Sequence, residues 1–369
     1  MRIGTVREIK TLEFRVGITP EGAAELAHHG HQVFVESGAG LGIGLGDDAY
    51  RAAGASVLPD AKSVFDKSEM IVKVKEPQPA EIALLRPDHT LFTYLHLAAD
   101  REQALGLMKS GATAIAYETI TDGQGRLPLL APMSQVAGRM ATMVAAQYML
   151  KPFNGRGLLM SGVPGVPGAK VGILGAGVSG MHAAEMALGL RADVTVFDIS
   201  AERLAVVDAQ FAGAVQGVHS SKKALADFLP QADAIIGCVL VAGAAAPKLI
   251  KREDLKRMKQ GAVLVDVAID QGGCFETSKP TTHEHPTFVV DGIIHYCVAN
   301  MPGAAPLTST YALTAVTLPF VLRMAEKGVS AALAADPHLR NGLNVHAGKI
   351  THPAVGKELE TVQAALSTR

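Results

Sequence analysis

From Lys170 onward, short apolar runs alternate with stretches of helical spacing, which is the pattern of a parallel sheet covered by helices on both faces. The runs predicted as strands are Val171 to Leu174, Val194 to Phe197, Ala214 to Val218, Ala234 to Val239, Ala262 to Ala268 and Phe288 to Val298. The pattern therefore predicts one doubly wound α/β domain in this part of the chain.

The first 130 residues contain strand-like runs of their own, again separated by helical stretches. These runs are Gln32 to Glu36, Met70 to Val74, Thr90 to Leu95 and Thr113 to Tyr117. Two long helical segments, 132–150 and 304–325, bracket the glycine-containing domain that follows. We predict an α/β protein of two Rossmann-like doubly wound domains linked by long helices, with the C-terminal segment returning to the N-terminal lobe.

The predicted boundaries are 1–131 plus 305–369 for a discontinuous substrate domain, and 132–304 for a dinucleotide-binding domain with its connecting helix. A chain of 369 residues is too long for one ordinary core, which agrees with two domains. A cleft between two lobes is where small-molecule sites usually form.

Composition narrows the class of protein. The net charge of -1, from 34 basic and 35 acidic residues, gives no general attraction to nucleic acid or to a membrane. The N-terminus places charges where a signal peptide needs an apolar core, and no apolar run reaches the roughly 18 residues of a membrane span. Three cysteines without C-x-x-C spacing indicate reduced thiols rather than disulfides or a zinc site. We expect a cytoplasmic protein with no metal.

Gly175, Gly177 and Gly180 follow a predicted strand and precede a predicted helix, 178–190. The first glycine permits a tight turn, the second permits close approach of a pyrophosphate, and the third lets the helix pack on its strand. The helix N-terminus then faces the phosphates. An ordinary glycine-rich turn is the alternative, but Asp198 ends the next strand where an adenosine ribose would meet a carboxylate, so the complete unit predicts a dinucleotide site.

The charge at Asp198 bears on the choice of dinucleotide. A carboxylate accepts hydrogen bonds from ribose hydroxyls but repels a 2′-phosphate, which favours NAD over NADP. Arg203 lies nearby in the sequence and could soften that preference.

A second glycine-rich run, Gly38 to Gly46, also follows a strand, but none of its frames completes the three-glycine motif. Asp47 and Asp48 come directly after it and would repel a phosphate. We predict a flexible loop here.

Seven short motifs follow one another in a fixed order along the chain. They are Arg7-Glu8 with Arg15-Val-Gly-Ile-Thr-Pro20, Val72-Lys-Val-Lys-Glu-Pro77, Phe92-Thr-Tyr-Leu-His-Leu-Ala98, Ala131-Pro-Met-Ser134, the glycine motif, Val265-Asp-Val-Ala-Ile-Asp-Gln-Gly-Gly273 and Val298-Ala-Asn-Met-Pro-Gly-Ala304. In this order the chain resembles the alanine dehydrogenase family over essentially its whole length. Related members are the NAD-binding portion of proton-translocating transhydrogenase and saccharopine dehydrogenase.

The resemblance implies that Arg15 and Lys75 bind the substrate. An arginine can grip a carboxylate with a planar fork of donors, although an isolated arginine is more often an exposed surface residue. Lys73 and Lys75 alternate along one strand, and their ordinary interpretation is a pair of exposed edge lysines. The resemblance assigns Lys75 to the substrate carboxylate and the keto oxygen, and leaves Lys73 a structural role.

His96 and Asp270 are the implied catalytic residues. His96 follows a strand, and its unperturbed pKa near 6.5 suits proton exchange at neutral pH. It would take a proton when water adds to the substrate imine and return one as ammonia leaves. Asp270 ends an apolar run, and ligands of open parallel sheets bind at such strand ends. The alternative is an aspartate that only forms a turn. By the resemblance, Asp270 would orient the reacting nitrogen or water.

Further residues are expected to contact the cofactor, NAD. Met301 and Met133 fit this expectation and fit core packing equally well. The full expected set is Ser134, Gly175, Gly177, Val178, Ser179, Gly180, Asp198, Arg203, Ser220, Val239, Leu240, Val267, Ala268, Ile269, Asp270, Val298, Ala299, Asn300 and Met301.

The expected function is NAD-dependent, reversible oxidative deamination of L-alanine to pyruvate and ammonia, in a homo-oligomer that the resemblance implies to be a hexamer. A saccharopine dehydrogenase would need a larger substrate pocket. A transhydrogenase-like role is disfavoured by His96. A regulatory protein that only binds NAD would have no use for Arg15, Lys75, His96 and Asp270 together.

Overall fold

The computed structural model describes residues 1–239, 246–357 and 359. The chain folds into two compact units, Met1–Met133 with Ala305–Arg369, and Ser134–Ala304. We call them unit 1 and unit 2. Of the helices in the described ranges, none combines the length and the apolar character that crossing a bilayer requires.

Both units are built from strands and helices in alternation. The strands are β1 (Arg2–Thr5), β2 (Gln32–Glu36), β3 (Ser56–Leu58), β4 (Met70–Val72), β5 (Thr90–Thr93), β6 (Thr113–Ala116), β7 (Lys170–Leu174), β8 (Asp193–Asp198), β9 (Gln216–His219), β10 (Ala234–Gly237), β11 (Val263–Asp266), β12 (Thr287–Val290), β13 (Ile293–Tyr296), β14 (Leu343–His346) and β15 (Lys349–Ile350). The helices are α1 (Pro20–His28), α2 (Asp47–Ala52), α3 (Ala61–Lys67), α4 (Pro79–Ile82), α5 (Arg101–Ser110), α6 (Ala131–Tyr148), α7 (Val178–Gly189), α8 (Ala201–Phe211), α9 (Lys222–Phe228), α10 (Pro306–Lys327), α11 (Val329–Ala335) and α12 (Pro337–Arg340).

Each unit contains one sheet of Rossmann-like order. In unit 1 the order is β15-β14-β6-β5-β4-β1-β2-β3, and in unit 2 it is β12-β13-β11-β10-β7-β8-β9. The strands from β6 to β3 are parallel, as are those from β13 to β9. The prediction of an α/β fold with two doubly wound domains is confirmed. The strand order reverses beside β1 in one sheet and beside β7 in the other, which is where such sheets bind ligands.

The sheets are buried on both faces, which explains the nearly continuous apolar runs. In β4, Met70 and Val72 pack into one cluster of unit 1 while Ile71 packs into the cluster on the opposite face. In β7, Ile173 packs into one cluster of unit 2, and Leu174 packs into the cluster on the opposite face.

The predicted strand over 288–298 is wrong, because the structure has a hairpin of β12 and β13 there. Asp291 and Gly292 form its two-residue turn with φ of +50° and +80°. Positive φ at both central positions is typical of the type I′ turn that joins antiparallel strands. Because apolar residues flank this turn on both sides, the hydrophobic pattern predicts one continuous strand instead of two.

The glycine-rich run after β2 folds into a short 3-10 helix, Leu41–Ile43, followed by α2. The Asp47 carboxylate accepts hydrogen bonds from the Gly38 N–H at 2.8 Å and from the Ser37 hydroxyl at 2.6 Å. A Cβ at Gly40 would lie 2.5 Å from the Leu45 carbonyl oxygen. Gly40 therefore serves close packing, and the Asp47 carboxylate of the protein itself accepts from the nearby donors.

Candidate active site

Arg15 lies in the loop between β1 and α1 of unit 1, and its side chain is 1 % exposed. The Nε and Nη2 atoms donate to the Glu13 carboxylate at 2.6 and 2.5 Å, and Nη1 lies 3.0 Å from the Met133 sulfur. Burial alone would lower the pKa of Arg15, but the Glu13 carboxylate outweighs it and the pKa lies above its usual value. The guanidinium is therefore a fixed, charged group.

Lys73 and Lys75 differ in their surroundings although they alternate along the same segment. Lys73 is completely buried, and its ammonium donates to Glu8 at 2.9 Å and to Glu81 at 2.6 Å. Lys75 follows β4 on its carboxyl side, and its carbonyl accepts a hydrogen bond from the Thr93 hydroxyl at 2.9 Å. Neither lysine is an exposed edge residue.

His96 follows β5, the strand next to β4, and its residue is exposed. Its backbone has φ of +50°, a left-handed conformation that is uncommon for residues other than glycine. The Glu118 carboxylate holds this turn by accepting the His96 N–H at 2.6 Å and the Leu95 N–H at 3.1 Å. The imidazole is stacked on Tyr94, with ring centroids 5.8 Å apart. Strained backbone of this kind is concentrated at functional sites.

Within unit 1, Tyr94 interacts with both His96 and Arg15. Its ring is buried, its hydroxyl donates to the Leu129 carbonyl at 2.6 Å, and it interacts electrostatically with Arg15. Burial raises the pKa of Tyr94 well above its usual value, so its hydroxyl stays protonated. The loops that follow β1, β4 and β5 thus place Arg15, Lys75 and His96 at one edge of the sheet.

The glycine turn of unit 2 follows β7 as its spacing predicts. Gly175 has φ of +97°, and a Cβ on Gly180 would lie 1.8 Å from the Gly175 carbonyl oxygen. Gly177 caps α7 without a side-chain hydrogen bond from the described residues. The amides of Val178 and Ser179 therefore begin the helix where a phosphate could accept them.

Asp198 ends β8 and is half-buried. Its carboxylate accepts the Ala176 N–H at 2.7 Å and the Ser200 N–H at 2.8 Å, which ties it to the glycine turn. Arg203 donates to the Ala176 carbonyl at 3.3 Å. Ser220 follows β9, and its N–H donates to the Asp198 carbonyl at 2.9 Å. These residues share the carboxyl edge of the unit 2 sheet.

Ser134 lies in the first turn of α6 and four residues before Gly138. A Cβ on Gly138 would lie 2.1 Å from the Ser179 carbonyl oxygen, so α6 packs directly on the start of α7. Residues four apart occupy the same helix face. Ser134 therefore lies on the face of α6 that packs against the glycine turn.

The loop after β11 carries Val267, Ala268, Ile269 and Asp270. Asp270 is exposed, in a 3-10 turn, while Ala268 and Ile269 are buried. Buried Asp266 organises the loop by accepting the Ala268 N–H at 3.1 Å, the Cys274 N–H at 2.8 Å and the Ser278 hydroxyl.

The segment after β13 holds the remaining cofactor candidates. Val298 and Met301 are buried in the core of unit 2, and Ala299 is half-buried. Asn300 has φ of +61°. Val239 follows β10 and is half-buried, whereas Leu240 lies outside the residues that the structure describes.

Sequence reasoning missed several residues that hold the candidates in place. Glu8 lies in the Arg7-Glu8 motif and Glu13 lies two residues before Arg15, but their contacts arise only on folding. Glu118 carries no local signal. Asp266 interrupts the apolar run that Asp270 ends, which could have drawn attention to it.

Two family models match the chain. The model described as alanine dehydrogenase/PNT, N-terminal domain, matches residues 4–137, and the one described as alanine dehydrogenase/PNT, C-terminal domain, matches residues 141–353. The chain is 56% identical to the alanine dehydrogenase of Halomonas elongata over 99% of both chains. It is 51% identical to that of Bacillus subtilis over 97% of this chain and 95% of the relative.

Solved structures agree with this. An L-alanine dehydrogenase matches with a TM-score of 0.94 and 48% identity, over 98% of this chain and all of the other. A transhydrogenase from Sinorhizobium meliloti matches with a TM-score of 0.80 and 25% identity, over 96% of this chain and all of the other.

Proposed function

The chain belongs to the alanine dehydrogenase/PNT family, and on that basis we propose that it catalyses reversible, NAD-dependent oxidative deamination of L-alanine to pyruvate and ammonia. It is an oxidoreductase acting on an amino acid. The observation that carries the proposal is the grouping of Arg15, Lys75 and His96 at one sheet edge of unit 1, in a chain whose unit 2 has a dinucleotide-type glycine turn.

The residues of unit 2 fit NAD. Among the described residues, the helix start at Gly177 has no side-chain cap, and a Cβ on Gly177 would approach only Arg203, at 3.6 Å. Phosphates of a dinucleotide would therefore meet the amides of Val178 and Ser179. The Asp198 carboxylate would accept the ribose hydroxyls, which favours NAD over NADP.

Substrate binding falls to unit 1. Glu13 accepts hydrogen bonds from Nε and Nη2 of Arg15 and so orients the guanidinium that would bind the substrate carboxylate. Lys75 supplies a second cation for the carboxylate and donates to the keto oxygen of pyruvate. Pairing of a carboxylate with an arginine and a lysine in a desolvated site gives strong, oriented binding.

NAD would supply the hydride acceptor for the α-carbon of L-alanine once the α-ammonium has lost a proton, which leaves the substrate as its protonated imine. His96 then takes a proton from the water that adds to the resulting substrate imine, and returns one to the departing ammonia. Asp270 orients the reacting nitrogen or water. The exposed imidazole of His96, held in one plane by Tyr94, suits a group that exchanges protons.

Two further properties belong to this proposal: a cytoplasmic location and assembly into a homo-oligomer, a hexamer by family resemblance. The three cysteines support the first, because Cys238, Cys274 and Cys297 are all free thiols. Light scattering on the purified protein measures the second.

The test of function is the appearance of NADH absorbance when the protein is mixed with NAD and L-alanine, with glycine, serine and saccharopine as alternative substrates. We expect turnover with L-alanine above the others. Turnover restricted to saccharopine, or the absence of turnover with every amino acid, would contradict the proposal.

A further inference from the structure

Glu8 is a buried carboxylate whose hydrogen bonds end on the segment that carries Lys75. It lies in the loop after β1, and its side chain is 1% exposed. One oxygen accepts the Val74 N–H at 2.7 Å and the Lys75 N–H at 3.3 Å. The other accepts the Lys73 ammonium at 2.9 Å. A single side chain therefore holds three consecutive residues.

The charge of Glu8 is not needed to balance Lys73. Glu81 already pairs with Lys73 at 2.6 Å, and its second oxygen accepts the Gln78 N–H at 2.8 Å. Burial of an additional ionised group costs several kcal/mol. Burial also raises the pKa of Glu8, with Lys73 opposing that rise. A carboxylate kept here against this cost has a purpose other than pairing Lys73.

Glu8 lies among buried charged groups that include Arg15, one of the cations that we assign to substrate binding. Glu8, Glu13 and Glu81 carry three negative charges, and Arg15 and Lys73 carry two positive charges. Glu8 also interacts electrostatically with Arg15. The charge of Glu8 therefore acts on Arg15, and its hydrogen bond holds the backbone of Lys75.

We propose that Glu8 is a positioning residue for Lys75, which it holds in place for the substrate carboxylate; this inference rests on the proposed function. Two effects of Glu8 oppose each other. A bare negative charge repels the substrate carboxylate, whereas a clamp on the lysine segment strengthens substrate binding. If the clamp dominates, removing the charge raises KM. If the repulsion dominates, removing the charge lowers KM.

The decisive variant is Glu8→Gln. It leaves the Lys73–Glu81 pair neutral, so no unpaired buried charge results. If the glutamine oxygen accepts the Val74 and Lys75 N–H groups, its NH2 must face the Lys73 ammonium. Both of these groups are hydrogen-bond donors, so this arrangement is unfavourable. We expect KM for L-alanine and for pyruvate to rise about tenfold or more, kcat to change less, and the Kd for NAD to stay unchanged.

Glu36→Gln is the matched control. Glu36 is likewise a buried carboxylate of unit 1 that accepts a backbone N–H, that of Arg7 at 2.8 Å. We expect its KM values to stay within about twofold of the wild type. Glu8→Asp is the second variant, because it keeps the charge but is one carbon too short to bridge the same three donors. We expect an intermediate rise in KM.

Thermal unfolding and NAD binding show whether each variant is folded. If Glu8→Gln does not fold, Glu8→Asp decides the question. An unchanged or lower KM in the folded Glu8 variant, with an active wild type, would overturn the positioning role alone. A wild type that is inactive with every amino acid would overturn the proposed function and this role together.

Discussion

The two sheets have the same doubly wound strand order but use different chemistry at their carboxyl edges. In unit 1 the loops after β1 and β4 bring charged side chains, Arg15, Lys73 and Lys75, into buried surroundings. In unit 2 the loop after β7 brings a glycine turn and the amides that begin α7. Strand order thus determines where a ligand binds, and the loops determine what kind of ligand it is.

The difference has an energetic basis. Buried cations are tolerated only when they are paired, and unit 1 provides Glu13 for Arg15 and Glu81 for Lys73. A helix N-terminus offers its donors without burying a full charge. Side chains suit a small substrate that must be oriented at one carbon, whereas backbone amides suit phosphates.

The largest effect on NAD binding is expected from Gly180→Ala, which would damage the glycine turn of unit 2 that we propose for phosphate binding. Its new Cβ would lie 1.8 Å from the Gly175 carbonyl oxygen, so the start of α7 must move. We expect the affinity for NAD to fall more than about tenfold and the free energy of unfolding to drop by roughly 1–3 kcal/mol.

Gly189→Ala in the same helix is the control, because a Cβ there meets no atom of the described residues within 4 Å. Titration of NAD by calorimetry compares the two variants. Wild-type affinity in Gly180→Ala would mean that the turn does not bind the phosphates.

A smaller effect is expected from Asp198→Ala, which tests whether unit 2 selects the cofactor by a carboxylate. Removing this charge relieves repulsion of a 2′-phosphate and leaves Arg203 beside it. We expect the ratio of kcat/KM with NAD to that with NADP to fall by about tenfold.

The control for that change is Asp193→Ala at the opposite end of β8, where the aspartate pairs with Lys170 on the surface. Steady-state kinetics with both dinucleotides gives the ratio for each variant. An equal ratio in wild type and Asp198→Ala would remove the assignment of Asp198 to the ribose.

The comparison also explains what the sequence could predict. The glycine turn can be predicted from the sequence because each glycine meets a local backbone requirement within six residues. Alternation alone puts Lys73 and Lys75 on the same face and cannot separate them. They are distinguished by Glu8 and Glu81, which come from the loop after β1 and from α4, and such contacts depend on the folded chain.

The hairpin of β12 and β13 shows a different limit. The Asp291-Gly292 turn is a recognisable type I′ signal, but the apolar residues around it resemble one long buried strand. The bonds from Glu118 that hold His96 in its left-handed conformation had no signal in the sequence at all.

The proposal that unit 1 supplies the proton-transfer group while unit 2 binds NAD is tested most directly by His96→Asn. Asparagine tolerates the left-handed backbone at this position, where φ is +50°, but cannot exchange a proton at neutral pH. The measurement pairs the Kd for NAD with kcat for L-alanine oxidation in wild type and variant. We predict an unchanged Kd for NAD and a kcat lowered by about 100-fold or more, since general acid–base catalysis contributes on this order. A kcat close to that of the wild type, or a loss of NAD binding equal to the loss of turnover, would contradict the account.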